Sequence, residues 1–163
     1  MIAKMQPTDS KTILHVVNDA AMAYTGVIPA DRWKNPYMST EELKQEIENG
    51  VNFYGWMENN VPVAVMGIQR LNGVTLIRHA YVLTNRQRRG IGTTLLKHLV
   101  KMAQTSNVLV GTWEAAHWAI RFYEKHGFKL VPKEEKDALL RKYWKIPERQ
   151  IETSIVLELK KQP

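Results

Sequence analysis

The residues Gln87-Arg88-Arg89-Gly90-Ile91-Gly92 lie where an apolar strand stops and an amphipathic helix starts. Upstream, residues 74–83 are rich in β-branched and apolar side chains and read as a strand. Downstream, Ile91, Leu95, Leu99 and Ala103 recur at four-residue spacing with Leu96 and Val100 beside them, which makes one apolar helix stripe. The loop therefore ends on a helix N-terminus, whose first amides have no intrahelical acceptor and carry the positive end of the helix dipole. Such a junction suits a phosphate chain. Gly90 and Gly92 are expected to clear side chains from the approach of that anion. Other nucleotide loops fit poorly: the segment lacks the Gly-Lys-Ser/Thr ending of a P-loop and a full Gly-x-Gly-x-x-Gly. A polar turn with a glycine at positive φ remains the plain alternative.

A second segment, Ala119-Ile120-Arg121-Phe122-Tyr123-Glu124-Lys125-His126-Gly127-Phe128, reads as a helix with Ala115, Ala119 and Phe122 on one face. Gly127 is suited to the left-handed residue that ends such a helix, and Phe128 opens the next strand. Between the two segments there is room for one helix, about residues 91–105, and one strand, Asn107–Trp113. Together the Gln-x-x-Gly-x-Gly loop and the Ala…Tyr…Gly-Phe segment resemble the two signatures of the GNAT N-acetyltransferases. The likeness covers about residues 52–131 by motif and the flanks by element order. It implies an α/β fold with a mixed central sheet, a V-shaped splay between central strands, and flanking helices, and it takes residues 1–163 as one N-acetyltransferase domain.

The resemblance also implies a chemistry: an acetyl group passes from the thioester of acetyl-CoA to a primary amine, and the thiolate of CoA leaves. In the family the pantetheine arm pairs with the strand before the loop, which here is Ala80, Tyr81 and Val82; Gln87, Arg88, Arg89, Gly90, Ile91, Gly92 and Thr93 then cradle the pyrophosphate. Tyr123 matches the tyrosine that protonates the departing thiolate in many members, a step worth roughly 10²–10⁴ in rate. A tyrosine packed on an apolar face is its other reading. A lysine-like amine with a pKa near ~10.4 is mostly protonated at neutral pH, and losing that proton unassisted costs roughly 4–5 kcal/mol, so a base is expected.

Some relatives carry Glu or His at the positions held here by Leu76 and Arg78. His79 is expected to face the opposite side by strand alternation, as a core or hydrogen-bonded histidine. Glu114, at the end of the strand where the sheet would splay, is the candidate base, and a surface carboxylate at a helix N-terminus is its alternative. Ala116 stands where members often have a cofactor-binding asparagine, with His117 or Trp113 available to compensate. That departure keeps open a module that binds acyl-CoA without turnover.

The remaining elements would frame this core. A short first strand is followed by a helix capped by Asp9 or Ser10, with a stripe of Ile13, Val16, Val17, Ala20, Ala21 and Tyr24. Residues 25–38 form a loop whose Trp33 and Tyr37, with Arg32, are expected to wall the acceptor site. Ser39-Thr40-Glu41-Glu42 is a capping box opening a helix that stops at Asn49-Gly50. Asn59-Asn60 and Asn72-Gly73 mark hairpin turns, the second in the type I′ form. A helix over 135–144, a break at Pro147 and a last strand over 151–159 complete the reading.

Composition bounds the partners. The chain has 163 residues, no cysteine and a net charge of +7. Without cysteine, disulfides and thiolate metal sites are excluded, and no metal is expected. The polar start and the lack of a long apolar run lead to the expectation of a cytoplasmic protein with no membrane segment. The basic residues are scattered, and Arg86, Arg88 and Arg89 are accounted for beside a phosphorylated cofactor, so nucleic acid is not expected as the main partner. The expected acceptor is a small-molecule or peptide amine. Pairing of two copies as a homodimer is left open.

Overall fold

In the computed structural model, which describes residues 1–162, seven strands form one sheet in the order β1-β2-β3-β4-β5-β7-β6. They are β1 Ile2–Lys4, β2 Asn52–Glu58, β3 Val61–Leu71, β4 Val74–Val82, β5 Asn107–Trp113, β6 Lys129–Leu130 and β7 Ser154–Lys160. Only β4 and β5 pair in parallel; the other neighbours are antiparallel. The helices are α1 Ser10–Ala20, α2 Thr40–Glu48, α3 Ile91–Met102, α4 His117–Lys125, α5 Lys133–Tyr143 and α6 Glu148–Glu152.

Strand alternation distributes these helices over two faces. Ala64 and Met66 of β3, Val108 and Val110 of β5 and Leu157 of β7 pack on one side with Leu95, Leu96 and Leu99 of α3 and Tyr123 of α4. Their neighbours in sequence point the other way. Val65 packs with Ile13, Val16 and Val17 of α1 and Leu43 of α2, while Leu76, Leu109 and Val156 pack with Leu140 of α5 and Ile151 of α6. Burial of apolar surface on both faces, at roughly 25 cal/mol per Å², holds the layers together.

The pairing of β4 with β5 ends early. It runs from Val74↔Asn107 to Ile77↔Val110 and stops there, although β4 continues to Val82 and β5 to Trp113. The two strands diverge in this stretch, which is the splay that the resemblance implies. On its other edge β4 carries a bulge: the step from Val65 to Gly67 on β3 faces the longer step from Tyr81 to Arg78. His79 absorbs the extra residue with φ of 54°, a backbone conformation uncommon for a residue with a side chain.

Several local expectations need correction. The Asn72-Gly73 turn is not type I′, because only Gly73 has positive φ; that geometry falls to Asn59-Asn60, where both residues do. The final strand begins at Ser154, because Pro147 starts the short helix α6 and Ile151 turns inward from it. Ala115 precedes α4 rather than lying on it, and α3 ends at Met102. The Asp9 carboxylate accepts the Gln6 amide at 2.6 Å instead of capping α1. Ser39 does cap α2, accepting the Glu42 amide at 3.1 Å, and Gly127 ends α4 at φ 89°.

Candidate active site

The loop after β4 carries the residues expected to hold the anion. Gly90, at the N-cap of α3, has φ of 79°, and a Cβ placed there would meet nothing within 4 Å. Its role is conformational rather than the clearance of space: it turns the chain so that α3 can start. Arg88 also takes positive φ, 65°. Arg88, Arg89 and Gly90 are exposed, whereas Gly92 and Thr93 are half-buried and Ile91 is anchored in the core. The amides of Ile91, Gly92 and Thr93 begin a helix of three turns, so they lack intrahelical partners. Gln87 donates its Nε2 to the Val82 carbonyl at 3.1 Å, closing the loop onto the end of β4. Arg86 does not belong to this group. It pairs with Glu58 at the end of β2, Nε to Oε2 2.9 Å.

Beside the loop, Ala80 and Val82 pack against the α3–α4 core, while Tyr81 packs on the opposite face. That phase is a product of the bulge. Leu76 and Arg78 belong to the face of α1, α2 and α5; strict alternation would send Tyr81 to the other face, and the extra residue at His79 reverses it. The expectation that His79 faces away from Arg78 is therefore overturned. Arg78, His79 and Tyr81 line one cavity together with Tyr24, Tyr37, Gly111, Thr112, Trp113, Trp144 and Gln150. The cavity, of roughly 130 Å³, lies in the opening between β4 and β5.

Its walls are aromatic and held by specific contacts. Trp113 Nε1 donates to Tyr37 Oη at 2.9 Å. Tyr24 lies 5.5 Å from the Tyr37 ring and 6.3 Å, edge-on, from Tyr81. Trp33 stacks on Tyr37 at 5.8 Å but does not itself line the cavity. Trp144 closes one side across Gly111, where a Cβ would stand 3.2 Å from the indole. Burial pushes the Tyr37 hydroxyl up to about 12 and raises those of Tyr24 and Tyr81, so the phenols face the cavity as neutral donors and acceptors at physiological pH.

Behind Arg78 and His79, Glu46 of α2 accepts two cationic or titratable partners from β4. His79 Nε2 is 2.6 Å and Arg78 Nη2 3.3 Å from the same Oε2. Arg78 also donates Nη1 to Gln69 Oε1 at 3.2 Å. Burial pushes the Glu46 carboxyl up, but the His79 hydrogen bond and the charges of His79 and Arg78 outweigh it and hold the group below its ordinary value. Glu46 carries no signal in the sequence, because a glutamate on a polar helix looks like any solvated residue.

Tyr123 is buried in the core, its ring edge-on to Phe122 at 5.1 Å and to Phe128 at 5.5 Å. Burial, with the nearby Tyr24 hydroxyl, raises its pKa. Glu114 is exposed, one residue beyond Trp113, and its side chain is not part of the cavity wall. Ala116 is fully buried between Ile28 and Trp113, a position with no room for a longer polar side chain. Trp113 is occupied by Tyr37 and His117 is exposed. Sequence reading passed over His126, whose Nε2 lies 3.0 Å from Thr93 Oγ1 beside the anion loop.

A profile of the family described as Acetyltransferase (GNAT) domain matches residues 16–141, spanning the splay, the loop and the α4 segment. The chain belongs to the GNAT acetyltransferase family. No curated protein matches this GNAT domain in sequence. Solved structures share its fold along nearly the whole length. The PaiA N-acetyltransferase of Thermoplasma acidophilum, in complex with coenzyme A, has a TM-score of 0.73 at 18% identity, covering 99% of this chain and 98% of that one. The ribosomal-protein-S18-alanine N-acetyltransferase of Escherichia coli has a TM-score of 0.70 at 17% identity, covering 98% and 92%. A GNAT acetyltransferase from Elizabethkingia anophelis with acetyl-CoA bound has a TM-score of 0.64 at 19% identity, covering 99% and 97%. Among the described residues of the GNAT domain, no helix is long and apolar enough to cross a membrane.

Proposed function

We propose that this GNAT domain transfers an acetyl group from acetyl-CoA to a primary amine by direct attack of the amine on the thioester. The observation that carries the reading is the early end of the β4–β5 pairing at Ile77 and Val110, next to the unpartnered amides that open α3. The backbone of residues 78–82 has no β5 partner, so Ala80, Tyr81 and Val82 can take an extended amide-bearing arm as an added strand. Where that edge ends, the amides of Ile91, Gly92 and Thr93, with Arg88 and Arg89, meet the charge of a pyrophosphate. These residues fit acetyl-CoA, which supplies the activated acetyl thioester.

The acceptor is taken by the aromatic cavity in the same opening, walled by the hydrogen-bonded pair Tyr37 and Trp113, with Trp33 stacked on Tyr37. The amine nitrogen forms a bond to the acetyl carbonyl carbon and, cationic after the attack, gives up a proton to solvent; the carbon–sulfur bond breaks, and the sulfur leaves with the electron pair. Tyr123, kept protonated by burial, is the proton donor to that sulfur. Glu114 is exposed and lies outside the cavity wall, which weighs against it as the direct base. Among the described residues the cavity lining is aromatic and polar with no carboxylate, which favours a small or peptide amine over a polycation.

A thiol-release assay over a panel of amine classes, paired with calorimetry of acetyl-CoA, tests the reading. Release of CoA with at least one amine is expected. Binding of acetyl-CoA without release for any amine would instead establish the acyl-CoA-binding module that Ala116 leaves open.

A further inference from the structure

The bulge in β4 brings a histidine of the cavity wall together with a carboxylate. His79 Nε2 lies 2.6 Å from Glu46 Oε2, and Phe53 of β2 stacks on the imidazole at 5.9 Å and 25°. A carboxylate bonded to one ring nitrogen fixes the proton on that nitrogen and leaves the lone pair on the other. With Nε2–H donated to Glu46, Nδ1 is the basic atom, and among the described residues it has no hydrogen-bond partner. His79 also lines the cavity. Glu46 is fixed in turn by Arg78, which discourages it from swinging away.

Resting on the acetyl-transfer reading above, we propose that His79 is the general base for the acceptor amine and that Glu46 is its positioning residue. Nδ1 takes the proton that the ammonium must lose, the freed lone pair of the amine attacks the acetyl carbon, and the imidazolium formed is stabilised by the Glu46 carboxylate. The proton then leaves His79 to solvent, so the base is regenerated without another reactant. Among the described residues, the charged groups in contact around the imidazole are Glu46 from α2, with Arg78 from β4 paired to the same oxygen, and β2 presents the Phe53 ring. The remaining titratable groups of the cavity are the tyrosine hydroxyls, which burial keeps protonated.

The test is a pair of variants measured over pH with an amine that the wild type acetylates. Asparagine tolerates the left-handed backbone at position 79, so His79→Asn keeps the bulge and with it the phase of Tyr81; unchanged acetyl-CoA affinity verifies this. Its kcat/KM is expected to fall about 10²-fold near neutral pH. The deficit should shrink as pH approaches the pKa of the amine, which then loses its proton unaided. Glu46→Gln keeps an acceptor for the His79 Nε2–H but removes the charge facing the imidazolium, so its kcat is expected to fall while the KM for the amine and the acetyl-CoA affinity hold, a split that a merely structural Glu46 would not produce. A His79→Asn ratio to wild type near one at every pH overturns the assignment. So does a flat ratio for His79→Asn alongside a pH-dependent deficit for Glu114→Gln, which makes Glu114 the base. A wild type that binds acetyl-CoA yet acetylates no amine overturns the transfer reading on which the assignment rests.

Discussion

Trp113, the last residue of β5, donates its indole N–H to the Tyr37 hydroxyl at 2.9 Å, tying the loop before α2 to the strand that diverges from β4. The loop is thereby a wall of the cavity rather than a free lid. Tyr37→Phe leaves the buried indole donor unpaired, which costs about 1–3 kcal/mol. Thermal unfolding should show the loss, and the KM for the acceptor should rise several-fold while acetyl-CoA affinity measured by calorimetry stays level.

Gly90 separates backbone need from ligand clearance. Gly90→Asn retains a residue that tolerates φ near 79°, and it is expected to bind acetyl-CoA within several-fold of wild type. Gly90→Glu puts a negative side chain beside the α3 N-terminus and should abolish binding in a protein that still folds. Equal, wild-type affinities for the two would place the pyrophosphate elsewhere.

Tyr123→Phe keeps the ring in its packing against Phe122 and Phe128 and removes only the hydroxyl. A loss of about 10²-fold in kcat with little change in acetyl-CoA affinity is expected if the hydroxyl protonates the leaving sulfur. Steady-state kinetics with a good acceptor decides it, since a kcat within a few-fold of wild type assigns Tyr123 to packing alone.

Glu46 links stability to pH. Its carboxyl is held below the ordinary value in the fold, so the native state binds this proton less readily than the unfolded chain. The stabilisation is complete above the ordinary carboxylate range and is lost as pH falls through the folded value. Melting temperatures of wild type and Glu46→Gln should therefore differ most near neutral pH and converge in acid; a difference independent of pH would show that the pairing with His79 and Arg78 adds nothing to stability.

Much of this molecule is a consequence of local patterns. The alternation in β3, β5 and β7, the apolar stripes of α1 and α3, the Ser39 cap and the left-handed Gly127 are each specified within a few residues, because period, capping and φ are short-range properties. The loop between β4 and α3 is legible for the same reason: strand, glycines and helix start are contiguous. The acceptor end is different. Whether β4 carries one extra residue is decided by its register against β3, and that single residue turns His79 toward Arg78 and sends Tyr81 into the cavity. Glu46 joins them from a helix far away in the chain. Ala116 likewise shows its meaning only where Ile28 and Trp113 close around it. These relationships depend on pairing and packing between distant segments, which a one-dimensional pattern does not contain, so the loop between β4 and α3 could be read from the sequence while the aromatic cavity and its histidine–carboxylate pair came from the tertiary structure.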